Sequence, residues 1–266
     1  DLDVMVPRSG LQLWLRADEG VFVADGHAQR WEDQSGQGHQ AYAEPDHAPH
    51  YVDGALNGLP VLRFDGETTF LTVPHHDGLN AGSAMTVFVV FRYEGTGIRI
   101  AQKKSGTAGN ERDAWYINPR GGLAVAGVRH TKRAFEEGRY HIQTSVFSAA
   151  DGEIRIYGDG EHLVTERQAV AQIPNNDDLI IGKRISTSGG QNLKGDIAEI
   201  LIYNRTLTED ERLLVETYLM EKYALGQAMF CSIPATAAGG EDSATGRRVP
   251  ILADDYDVLW RSPNPR

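Results

Sequence analysis

The stretch GDIAEILIYNRTLTEDER, residues 195–212, runs an apolar strand directly into a helix start. Ile197, Ile200, Leu201 and Ile202 are strand-forming aliphatics. Thr208, followed by Glu209, Asp210 and Glu211, makes a Thr-x-x-Glu capping box with acids in the first turn of the helix. Downstream, Leu214 and Tyr218, and Val215, Leu219 and Tyr223, recur four apart on neighbouring stripes. Such a helix has a face to lay on a sheet, and it ends near Gly226. The strand and helix together read as the closing elements of a β-sandwich.

The sequence upstream is mostly strand. Leu11–Leu15 alternates apolar and polar residues. Val61–Phe64 and Phe70–Val73 flank the turn Asp65-Gly66, and MTVFVVF (85–91) has the continuous apolar character of a strand buried on both faces. Further strands are expected at 98–102, 114–118, 123–128, 140–147, 153–157, 162–164 and 179–182. Asp159-Gly160 favours the positive φ angles of a tight hairpin turn. Many short strands at regular spacing predict an all-β sandwich or barrel.

Composition narrows the function classes. The chain has 266 residues, 41% of them hydrophobic, which supports a substantial core. A formal net charge of −11 argues against nucleic acid as a partner, because phosphates select a basic stripe. No apolar run reaches the roughly 20 residues of a membrane-spanning helix. The single cysteine, Cys231, excludes an intrachain disulfide and, without a local base, reads as an idle thiol. The chain begins Asp1-Leu2-Asp3, which reads as a form from which a leader has been removed or as a chain begun at a chosen residue.

Residues 232–246, rich in Ala, Gly, Ser and Thr, read as a linker or extended arm. Beyond them Val249, Ile251, Leu252, Tyr256, Leu259 and Trp260 are apolar anchors, expected to be ordered and buried on the chain's own sandwich or on a partner chain. The expected organisation is a sandwich domain over 1–226 and an extended C-terminal arm over 227–266.

The segments LQLWLRADEGV (11–21), WEDQSGQGHQA (31–41), LNGLPVLRFDG (56–66), AMTVFVVFR (84–92) and 195–225 together resemble the bacterial concanavalin A-like, laminin-G-like jelly-roll domains. The resemblance covers roughly residues 10–225 and implies two facing antiparallel sheets. It also implies an exported bacterial protein, periplasmic or extracellular, of the kind that often serves as an accessory module. Related jelly rolls hold a structural Ca2+ near an Asp-x-Ser-Gly segment, with a carboxylate of the last strand contributing. Carried over, these ligands are Asp33 and Glu199. His39 stands where the pattern commonly has Asn, and Ala198 where many members have Asp.

Motifs of catalysis are missing. Glucanases of related fold resemble one another in a Glu-x-Asp-x-x-Glu strand, and this spacing does not occur here. Asp196 and Glu199 are three apart, which in a regular strand puts them on opposite faces. His141 and Gln143 are residue types that lyases use, but within a three-residue stretch of one strand they read as an ordinary sheet face. There is no Gly-x-Ser-x-Gly elbow and no phosphate loop. His47/His50 and His75/His76/Asp77 are residue types that bind zinc only if the fold brings them together.

The chain therefore reads as a non-enzymatic recognition module for an extracellular or surface glycan or protein. Arg112, Trp115 and Tyr116 are its candidate ligand-binding residues, because sugars stack on aromatic faces. Two alternatives stand beside it: a subunit of a larger assembly docked through the arm, and a polysaccharide-acting lyase or glycosidase.

Overall fold

A computed structural model of the chain describes residues 2–95, 99–105, 112–125, 128–131, 135–167, 176–185 and 192–226, with the backbone alone for 104, 105, 112, 113 and 128–131. The expected arm, 227–266, and its six anchors Val249, Ile251, Leu252, Tyr256, Leu259 and Trp260 lie outside the described residues.

The strands follow the chain as β1 (Leu11–Arg16), β2 (Val21–Ala24), β3 (His27–Trp31), β4 (Ala41–Tyr42), β5 (His50–Leu56), β6 (Leu59–Asp65), β7 (Leu71–Val73) and β8 (Ala84–Tyr93). They continue as β9 (Ala101–Ser105), β10 (Arg112–Asn118), β11 (Gly122–Val125), β12 (Val128–Thr131), β13 (Tyr140–Ser148), β14 (Glu153–Gly158), β15 (Glu161–Arg167), β16 (Leu179–Ile181) and β17 (Lys194–Tyr203). Helix α1 (Glu209–Tyr223) follows. The pairings form a jelly-roll sandwich, as the sequence predicts.

In the first sheet β17 is flanked on one side by β8, which leads to β13, β14 and β15. On its other side β17 pairs with β1 along its C-terminal half and with β6, then β5, along its N-terminal half. The second sheet runs β2-β3-β4-β7-β16-β9-β10-β11-β12. One residue pair, His27↔His50, joins β3 to β5 and hence one sheet to the other.

Strands β2, β3, β4, β5 and β12 go beyond the sequence expectation. Two of their hairpins carry the same turn signal as the predicted one. Asp25-Gly26 has φ of 51° and 78°, and Asn57-Gly58 has 50° and 75°, matching Asp159-Gly160 at 51° and 83°. Short Asx-Gly pairs adopt these positive φ values at low cost, and the resulting twist matches that of the strands they join.

The interior between the sheets is filled by Leu13, Leu15, Phe64, Val87, Val89, Phe91, Trp115, Ile117 and Phe147, among others. A second apolar layer lies on the outer face of the first sheet. There Trp14, Phe88, Val90, Leu201 and Tyr203 meet Val215, Tyr218, Leu219 and Tyr223 of α1. Strand β8 is thus buried on both faces, as its unbroken apolar run requires. Each such side chain contributes about 1.5–3 kcal/mol by leaving water.

Strand β17 departs from regular alternation. Ile197 pairs with Phe91, but Glu199 pairs with Val90, so Ala198 is an extra residue. This bulge turns Asp196 and Glu199 to the same outer face, correcting the expectation that their spacing separates them. Ile197 and Ile200 both still point into the core.

Candidate functional site

Cross-strand partners in an antiparallel sheet share a face. On the outer face of the second sheet the registers link Phe22↔Arg30, Arg30↔Tyr42, Tyr42↔Thr72, Thr72↔Ile180, Ile180↔Gln102, Gln102↔Tyr116 and Tyr116↔Ala124. These residues form one lane across the sheet, roughly 30 Å from Phe22 to Tyr116 at ~4.8 Å per strand.

One end of the lane is open. Phe22 is 53% and Tyr42 45% exposed, and the Arg30 guanidinium sits 5.6 Å from the Phe22 ring centroid while pairing with Glu32 at 2.9 Å. The other end is buried and polar. The Arg99 guanidinium lies 3.5 Å from the Tyr116 ring centroid, and its Nε donates to Gln102 Oε1 at 3.2 Å. The Ile185 amide donates to the same oxygen at 3.3 Å. Exposed aromatic faces beside the Arg30 guanidinium suit a ligand with apolar faces and many hydroxyls.

Only part of the sequence-predicted site lies here. Tyr116 belongs to the lane but is 4% exposed beneath Arg99. Trp115, one residue earlier, points the opposite way. It is fully buried in the core, and its ring N–H donates to the Leu79 carbonyl at 2.9 Å. It therefore offers no stacking face, and its assignment as a ligand platform is corrected. Arg112 opens β10, and its side chain lies outside the described ones. Phe22, Arg30 and Gln102 were missed, although Phe22 inside the apolar run Val21–Val23, ahead of Asp25-Gly26, carries a legible hairpin signal.

The expected calcium ligands, Asp33 and Glu199, each accept hydrogen bonds from protein donors. Asp33 Oδ1 accepts from the Trp14 and Ser35 amides, each at 2.9 Å, and Oδ2 accepts from the Ser35 hydroxyl at 2.7 Å and the His39 amide at 2.9 Å. Glu199 is fully buried under α1, where it accepts from Trp14 Nε1 at 2.5 Å and from Tyr218, Tyr223 and Lys222 at 2.8 Å. Both carboxylates are filled by N–H and O–H donors, and the Lys222 ammonium takes the place a cation would hold beside Glu199.

The histidines also separate. His47 packs on Phe70, His50 on His27, and His76 on His39, while His75 Nδ1 lies 3.0 Å from the buried Lys103 ammonium. Among the described residues no group of three His, Cys, Asp or Glu side chains converges on a metal position. His141 and Gln143 both face the sandwich interior. His141 bonds Asp159 at 2.8 Å, and Gln143 donates to the Gly122 carbonyl at 3.1 Å.

The other bulge-side carboxylate, Asp196, is fully buried between two arginines and a tyrosine. It accepts from Arg63 Nε at 2.7 Å and Nη2 at 3.0 Å, from Arg92 Nε at 3.0 Å and from the Tyr140 hydroxyl at 2.6 Å. Burial works to raise this carboxyl, but the bonds from Arg63 and Tyr140 and the charge of Arg92 overcome it and hold it below the usual range. Burial and the same carboxylate push the Tyr140 phenol up.

Among solved structures the chain resembles the Trypanosoma rangeli sialidase in complex with sialic acid, with a TM-score of 0.58 and 16% identity over 82% of this chain. It spans about a third of that protein, 34% of its length. It also resembles the binding domain of Paraclostridial Mosquitocidal Protein 1, with a TM-score of 0.54, 15% identity, and coverage of 78% of this chain and 52% of that one. At these identities the likeness is one of fold. No curated protein matches the sequence. No helix among the described residues is long and apolar enough to cross a membrane. The family model described as the concanavalin A-like lectin/glucanases superfamily matches residues 65–211, from the Asp65 turn through β17 to the capping box of α1. The chain belongs to the concanavalin A-like lectin/glucanases superfamily.

Proposed function

We propose that this protein is a non-catalytic glycan-recognition module that holds a saccharide at the open end of the outer lane of the second sheet. The observation that carries this reading is the lane itself. Tyr42 and Phe22 present exposed aromatic faces at its open end, with the Arg30 guanidinium beside Phe22. One solved neighbour, a sialidase captured with sialic acid, is in keeping with the same class of partner. Support for the non-catalytic part comes from the carboxylates. Asp33, Asp196 and Glu199 each spend their oxygens on fixed donors, so none of these three is placed as a free acid or base beside a glycosidic bond.

A glycan array followed by calorimetry tests the reading. The protein is expected to bind a defined oligosaccharide, and Tyr42→Ala to weaken that binding by about tenfold or more, about 1.4 kcal/mol. Because Tyr42 is half exposed, the Tm should move by less than about 2 °C. Equal binding by wild type and variant, or no binding to any glycan, overturns the proposal.

A further inference from the structure

A second line of register crosses the outer face of the first sheet. His27↔His50, His50↔Arg63, Arg63↔Asp196, Asp196↔Arg92 and Arg92↔Tyr140 place one residue each from β3, β5, β6, β17, β8 and β13 in a row. Its chemistry differs from that of the aromatic lane. The bulge at Ala198 keeps Asp196 on this face, and the buried carboxylate accepts from Nε and Nη2 of Arg63 and from Nε of Arg92.

Arg63 commits Nε and Nη2 to Asp196, yet its side chain remains 42% exposed. Arg92 commits Nε to Asp196 and Nη1 to Glu94 at 3.0 Å. Lys194, 61% exposed, stands 3.7 Å from Glu94. Three cations, Arg63, Arg92 and Lys194, thus stand among three carboxylates, Asp196, Glu94 and Asp65, the last opposite Lys194 in the register, in a protein whose net charge is −11. A buried ion pair alone is a weak source of stability compared with apolar packing. What this arrangement does provide is a guanidinium fork held in place, with its outer edge turned to solvent, which is the geometry that takes an oxyanion bidentately.

We propose that Arg63, positioned by Asp196 and flanked by Arg92 and His50, binds a single oxyanion, the sulfate ester or carboxylate of an acidic saccharide. The molecule's overall negative charge repels long polyanions, whereas screening beyond roughly 8 Å lets a local cation act alone on a single group. The site is distinct from the aromatic lane and stands or falls separately from it.

The test is an NMR titration of the full chain with inorganic sulfate, then with sulfated, uronate and neutral oligosaccharides of equal length. Saturable shifts of amides around residues 50, 63, 92 and 196 are expected with sulfate. They should also appear with the sulfated or the uronate sugar, and whichever binds identifies the source of the oxyanion. Arg63→Gln should weaken that binding about tenfold or more. Arg63→Lys, which keeps the charge beside Asp196 but loses the fork, should weaken it severalfold without changing the fold. Tyr42→Ala should leave it unchanged. Linear, unsaturated shifts spread over all surface cations, equal binding of the neutral sugar at these residues, or tight binding by both Arg63 variants would overturn the proposal.

Discussion

Lys103 shows how a single residue can burden a fold. It is fully buried, with its ammonium 3.0 Å from His75 Nδ1. Burial pushes this amine down to about 8, against the opposing pull of Asp178, Asp77 and Asp177. In the folded state the proton leaves near pH 8, whereas the unfolded chain keeps it to about 10.5. Between these values the unfolded state binds more protons, so stability rises with pH across that window and the full cost is present below it. Lys103→Met is expected to stabilise the protein at pH 7 by roughly 1–3 kcal/mol and to flatten the rise between pH 8 and 10.5. Denaturant melts of both proteins at several pH values check this, and a destabilised variant would show that the His75 contact outweighs burial.

At the scale of elements, α1 rests on its cap. The Thr208 hydroxyl accepts from the Glu211 amide at 3.2 Å, and Glu211 returns a bond to the Thr208 amide at 2.9 Å while pairing with Arg205. Thr208→Ala is expected to cost about 1 kcal/mol, read as a lower midpoint in urea. The Arg205 bond, aided by the Thr208 amide and opposed by partial burial, lowers the Glu211 carboxyl from 4.5 to about 2. Its contribution is complete above about 4.5 and fades as pH falls toward 2, so the penalty of Thr208→Ala should shrink across that window.

The cap, the helix face and the closing strand were legible in the sequence because each is a local pattern. The bulge at Ala198 was not. An extra residue is imposed by the partner strand, and nothing within IAEI marks which residue will go unpaired. Likewise Trp115 and Tyr116 read alike as aromatics near a loop, and only the burial of one face separates a core ring from a lane residue.

For the whole molecule the lesson is similar. Apolar runs and Asx-Gly turns were enough to predict a sandwich or barrel, and the family resemblance implied its two facing antiparallel sheets. The two outer rows were invisible, because each assembles residues far apart in sequence, from Phe22 to Ala124 in one and from His27 to Asp196 in the other. Such rows arise from register, which depends on every intervening strand.

The His27↔His50 pair that stitches β3 to β5 has a further, mechanical consequence. Two sheets held only by side-chain packing can slip past each other or part like the halves of a shell. Here a main-chain seam ties them at one side, so loosening one sheet strains the other. Amide hydrogen exchange is therefore expected to report a single cooperative opening for β7, β8, β13, β16 and β17, with faster exchange at border strands such as β2, β12 and β15. Two separate protection classes, one per sheet, would show that the seam carries no load.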